Sequence, residues 1–200
     1  MKNKILFVSL IFSLGFFSCN ENPKTNQVNE QDELSKGQKE AYLKKGKRIA
    51  TETFSTLSAE LGKALGEGGV SKALELCNIR AYPLVDSLSK VHNASIRRTS
   101  LKIRNPKNKA SESELAVLKN YEKSHQSGEK LKPKVEEVNG MVSFYAPIMT
   151  KPLCLNCHGK VGETLKEEDN ATIKSLYPDD QAIGYESEEL RGIWSIKFEK

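Results

Sequence analysis

The sequence predicts an α+β domain. Two apolar stripes at helical spacing fill its first half, an Asn-Gly dipeptide later separates two strand-like runs, and its last residues alternate apolar with polar.

The first helix follows from Ala50, Phe54, Leu57, Leu61, Ala64 and Leu65, which recur three and four apart among Lys, Thr, Ser and Glu. Gly66-Glu67-Gly68-Gly69 stops it. Val70, Ala73, Leu74, Cys77, Ala81, Leu84, Val85 and Leu88 then lay a second stripe at the same period, so the two helices form a hairpin. Pro83 removes the hydrogen bond to the Ile79 carbonyl and is expected to kink the second helix just after Cys77, which lies on the apolar face. Ser95 to Arg104 reads as a strand. Ser111 to Ser124 opens on Ser with Glu three residues on, the pattern of a capped helix. Val135 to Val138 and Met141 to Ala146 flank Asn139-Gly140, the dipeptide of a two-residue type I′ hairpin. Trp194, Ile196 and Phe198 alternate with Ser195, Lys197 and Glu199 as a half-buried strand.

The chain has 200 residues, with 38% hydrophobic and 28% charged positions. That composition excludes collagen, disorder along the whole length and a polytopic membrane protein. Its formal charge is +5, and +3 without Lys2 and Lys4 near the N-terminus, too small a balance for a nucleic-acid footprint.

Met1 to Lys4 is a basic head and Ile5 to Phe17 an uncharged apolar run of 13 residues, too short to span a bilayer comfortably. Residues 1–18 therefore read as a signal peptide. Phe17-Ser18-Cys19 resembles the lipobox of bacterial lipoproteins, in which the cysteine is acylated and becomes the new N-terminus. The alternative is ordinary cleavage near Ser18, with Cys19 an idle thiol. Residues 19–37 are almost all polar and read as a flexible tether. Residues 38–200 are one domain, expected to stand outside the cytoplasm on a bacterial membrane through a lipid on Cys19.

Cys154-Leu155-Asn156-Cys157-His158 is the c-type haem attachment signature. Its two thiols reach the two vinyl groups on one porphyrin edge, and the adjacent histidine brings its imidazole to the iron. At this chain's Cys and His frequencies, chance produces the pattern on the order of 0.001 times. Two other readings stand beside it: a structural zinc site using Cys154, Cys157, Cys77 and a histidine, and a dithiol redox pair, which lacks its βαβ context. Cys77 is then the cysteine left over, unusual in an exported protein and open to a core role. His92, His125, Met141 and Met149 are further possible iron ligands, although both histidines lie in polar surroundings that suggest surface, and methionines are more often core filler. Arg97, Arg98, Lys102 and Arg104 are candidates for haem propionates, or simply a solvated strand face. Asp179-Asp180, after Tyr177-Pro178, reads as a turn.

Leu74-Glu75-Leu76-Cys77, Ile96 to Pro106 (IRRTSLKIRNP), Pro152 to Gly159 (PLCLNCHG), Tyr177 to Tyr185 (YPDDQAIGY) and Leu190-Arg191-Gly192 together resemble an exported haem c family long catalogued as a domain of unknown function. The resemblance covers roughly residues 38–200. It implies a PAS-like fold and one covalently attached haem c. It also implies an axial pair of His158 and Cys77 thiolate, and a role in redox sensing or electron transfer with an unsettled protein partner.

Three functions are weighed: a redox-responsive sensor or binding module, a small lipid-anchored electron carrier, and a peroxidase-like enzyme. The enzyme needs an open iron position and a distal acid or base, and a cysteine ligand would fill that position, so no enzyme is expected.

Overall fold

The computed structural model describes residues 34–138 and 140–199. The expected signal peptide, Cys19, most of the expected tether and Asn139 lie outside the described residues.

Helix α1 (Lys36–Ile79) starts from a capping box in which Ser35 and Gln38 satisfy each other's backbone amides. It is interrupted at Gly68 and Gly69, where Gly69 takes φ 65°, a left-handed conformation that costs a glycine nothing. Beyond the break the chain doubles back into α2 (Ala81–His92). Two contacts show the antiparallel hairpin: Arg80 lies 3.3 Å from Glu60, and His92 lies 3.2 Å from Glu52.

Two expectations about this hairpin need correction. The second break falls at Arg80 rather than just after Cys77, and Pro83 sits in the first turn of α2. Helix amides there have no intrahelical partner, so the proline marks a restart instead of bending a continuous helix. Phe54 is 57% exposed, and the inward face of α1 is instead built from Gly46, Ile49, Ala50, Thr53 and Leu57. A Cβ at Gly46 would collide with the Phe144 ring, so helix and sheet meet there, and that contact turns Phe54 outward. Thr53 is tolerated inside because its hydroxyl donates to Ile49 O at 2.8 Å.

Four antiparallel strands, β1 (Ala94–Thr99), β2 (Lys134–Val138), β3 (Met141–Met149) and β4 (Leu190–Phe198), form one sheet in the order β1-β4-β3-β2. Ile96, Ile196 and Phe144 pair across three strands and face the hairpin, where they pack with Ile49, Leu57, Ala81 and Val85. The other face carries Tyr145 and Ile193 against Val117, Leu118 and Tyr121 of α3 (Glu112–Gln126). The expected capping box is present in α3, between Ser111 and the fully buried Glu114.

Strand β1 ends earlier than the expected Arg104. After Thr99 the Ser100 hydroxyl donates to Lys102 O, and residues 101–105 leave the sheet to meet the loop at Gln181, whose N donates to Ile103 O at 2.9 Å. Sequence reading also misses α4 (Leu155–His158) and α5 (Glu167–Leu176). Helix α5 buries a single residue, Ile173, so it writes almost no stripe. The acidic run Glu167-Glu168-Asp169 in its first turn, which suits the positive end of the helix dipole, was the available signal. Ile173, Leu74 of α1 and Leu165 form a separate small core. This α+β architecture, a long helical hairpin against an antiparallel sheet, agrees with the expected class. Among the described residues no helix is long and apolar enough to cross a membrane.

Candidate functional site

Three segments carry the candidate residues near the small core. Cys77 lies on the last turn of α1, one turn beyond Leu74. Cys154 ends the short 3-10 turn Pro152–Cys154, and Cys157 and His158 complete α4. Cys157 packs against the core formed by Leu74, Leu165 and Ile173, which places the Cys-x-x-Cys-His segment beside the end of α1 that carries Cys77. Proximity shows in the electrostatics as well: burial pushes the Cys157 thiol up to about 11, and Cys77 adds to that rise. Cys77, Cys154 and Cys157 are all free thiols.

His158 is oriented by a backbone clamp. Its Nδ1–H donates to Ala182 O at 2.6 Å, while Tyr185 N donates to His158 O at 2.9 Å and Gly184 N to Gly159 O at 2.8 Å. With Nδ1 committed as the donor, Nε2 keeps its lone pair. Burial, reinforced by Arg191 and Arg104, pushes the ring's pKa well below the ordinary histidine range, so it is neutral and ready to ligate.

The clamp is held in turn by Arg104 and Asp180. The Asp180 carboxylate accepts from Arg104 Nε at 3.1 Å and Nη2 at 3.2 Å, and from Ala182 N at 2.9 Å. Arg104 Nη2 also donates to Cys157 O at 2.6 Å. One ion pair thus fixes both the carbonyl that orients His158 and the helix that carries it. The expected turn at Asp180 exists, since its N–H donates to Tyr177 O, but the carboxylate's partner is 76 residues away. Tyr185 completes the surround: its ring stands edge-on to His158 at 6.4 Å, with Lys102 Nζ at 4.7 Å and the Arg191 guanidinium at 5.4 Å from its centre.

The remaining candidates separate. Arg97 lies toward α3, 3.5 Å from Glu114, with a hydrogen bond to Lys109 O at 2.7 Å. Arg98 is half-buried near Cys77; burial lifts the thiol's pKa, and Arg98 and Arg104 oppose that rise. His92, expected at the surface, has a side chain only 10% exposed because it pairs with Glu52 across the hairpin. Met141 is 48% exposed at the hairpin turn and Met149 lies at the other end of β3, so neither matches the expected core filler closely. Among the described residues no group of three or more His, Cys, Asp or Glu side chains could hold a bare metal ion, so the zinc tetrahedron is not assembled. A planar ligand that draws two thiols and an imidazole from one turn of helix suits this donor set better.

Fold and site together define a class: an α+β domain that displays a Cys-x-x-Cys-His turn beside a helical hairpin and its sheet. The chain belongs to the Tll0287-like family, whose model matches residues 22–198. It is also similar in fold to the crystal structure of the cyanobacterial haem protein Tll0287, at 19% identity and a TM-score of 0.51, over 76% of this chain and 95% of that one. No curated protein matches the chain.

Proposed function

We propose that this chain is an extracytoplasmic c-type haem protein, lipid-anchored through Cys19, that acts as a redox-responsive sensor or binding module. The observation that carries the reading is the Cys154-Leu155-Asn156-Cys157-His158 turn, with His158 neutral and its Nδ1 committed to Ala182 O. One haem c, bound through thioethers at Cys154 and Cys157, supplies a one-electron Fe(III)/Fe(II) couple. His158 offers Nε2, and Cys77 offers an anionic sulfur that favours the ferric state and lowers the potential. Family membership and the likeness to a haem protein support the reading.

The sensor role rests on where Cys77 sits. Its helical segment lies between two breaks, Gly68-Gly69 on one side and Arg80 on the other, and so can shift without unwinding its neighbours. A redox-linked change at Cys77 would move that segment, giving a protein partner two states to read. A lipid-anchored electron carrier uses the same residues without that movement.

Acid-acetone extraction of the purified protein should leave the haem on the polypeptide, and the double variant Cys154→Ala, Cys157→Ala should lose it. A colourless wild-type protein, purified from a host competent for haem attachment, would overturn the proposal.

A further inference from the structure

Arg98 and Arg191 are two half-buried cations that pair with no carboxylate among the described residues. Arg98, on β1, faces Cys77 and lies over the Trp194 ring at 5.7 Å, and among the described residues it makes no hydrogen bond and no ion pair. Arg191, at the start of β4, donates through Nη1 to Ser100 Oγ at 2.8 Å and Lys102 O at 3.0 Å, while its Nε is buried with no partner. A guanidinium drawn partly out of water without a counter-charge costs free energy that an arriving anion offsets. The third arginine of the site, Arg104, is already neutralised by Asp180.

We propose that Arg98 and Arg191 are the site's carboxylate receptors, and that their ligands are the two propionates of the haem. This rests on the haem reading above. Charge accounting supports it: ferric iron, the porphyrin dianion and one cysteine thiolate sum to zero, which leaves two propionate charges, and the site holds two unmatched arginines. A guanidinium is also the side chain whose fork matches a carboxylate in two parallel hydrogen bonds. Arg97 and Lys102, which share the same charged stretch, are excluded by their positions. Arg97 is bound to Glu114 and Lys109 O, and Lys102 is exposed over Tyr185.

The test compares full-length holoprotein with Arg98→Gln and Arg191→Gln by resonance Raman spectroscopy of the propionate bending modes and by redox titration. Each variant should keep covalent haem, shift a propionate band and lower the midpoint, because a cation near the iron stabilises the more negative reduced site. Arg98→Lys, which keeps the charge but not the fork, should restore the midpoint while the band stays shifted. Where Arg98→Gln fails to mature, Arg98→Lys alone supplies the band readout. Propionate bands unchanged in both positions, in protein that carries haem, would overturn the assignment and leave the haem reading standing. Wild-type protein without covalent haem would overturn both.

Discussion

Removing the Asp180 carboxylate should be the most damaging single change near the site. The side chain is fully buried, and its partner Arg104 is 11% exposed. Asp180→Ala deletes three hydrogen bonds at once, two from Arg104 and one from Ala182 N. It leaves a buried guanidinium without its counter-charge, a loss of about 3–5 kcal/mol, and an orphaned backbone amide adding about 1 kcal/mol. A total of about 4–6 kcal/mol is a large part of the roughly 5–15 kcal/mol that holds an ordinary domain together. With a urea slope of about 2 kcal/mol per molar, the unfolding midpoint should fall by about 2–3 M with the slope unchanged. Asp180→Asn, which can still accept from Ala182 N but carries no charge, should lose about half as much. Equilibrium urea unfolding followed by circular dichroism reads both variants. A midpoint shift of less than about 0.5 M for Asp180→Ala would show that Arg104 finds another partner and that the brace is not built as described.

Three further outcomes test other parts of the molecule. Gly46→Ala places a methyl against the Phe144 ring and should destabilise the hairpin-sheet packing by about 1–3 kcal/mol in the same assay, whereas Gly37→Ala, in open space, should not. Cys77→Ala should retain covalent haem, lose the thiolate signature in the ferric absorption and paramagnetic resonance spectra, and move the midpoint upward; an unchanged spectrum would make Cys77 core packing. Cys19→Ala should release haem-loaded protein into the soluble fraction and abolish fatty-acid labelling, and a variant that stays membrane-bound would remove the anchor.

Local patterns carried most of the architecture. Ser111 and Glu114 write the start of α3, Asn139-Gly140 marks the turn between β2 and β3, and the alternation Trp194, Ile196, Phe198 marks β4, because each signal depends on residues a few positions apart. The Cys-x-x-Cys-His motif is local in the same way. What stayed hidden depends on distance along the chain. Phe54 looks like a core residue until the contact between Gly46 and Phe144 sets the rotation of α1. Asp180 looks like a turn former until Arg104 reaches it from 76 residues away. Arg98 and Arg97 are adjacent and chemically alike. The period-two geometry of β1 sends them to opposite faces, one toward Cys77 and the other toward α3.

The strand order β1-β4-β3-β2 places β4, which follows every other element in the chain, in the interior of the sheet between β1 and β3. As the chain is synthesised, β1 therefore waits for a partner that emerges about a hundred residues later, and the sheet closes only as residues 190–198 arrive. Residues 154–158 emerge before that moment. The covalent haem attachment proposed above would find both thiols reachable on an open polypeptide in that interval. The final strand then seals the product: the topology works as a timer as well as a scaffold.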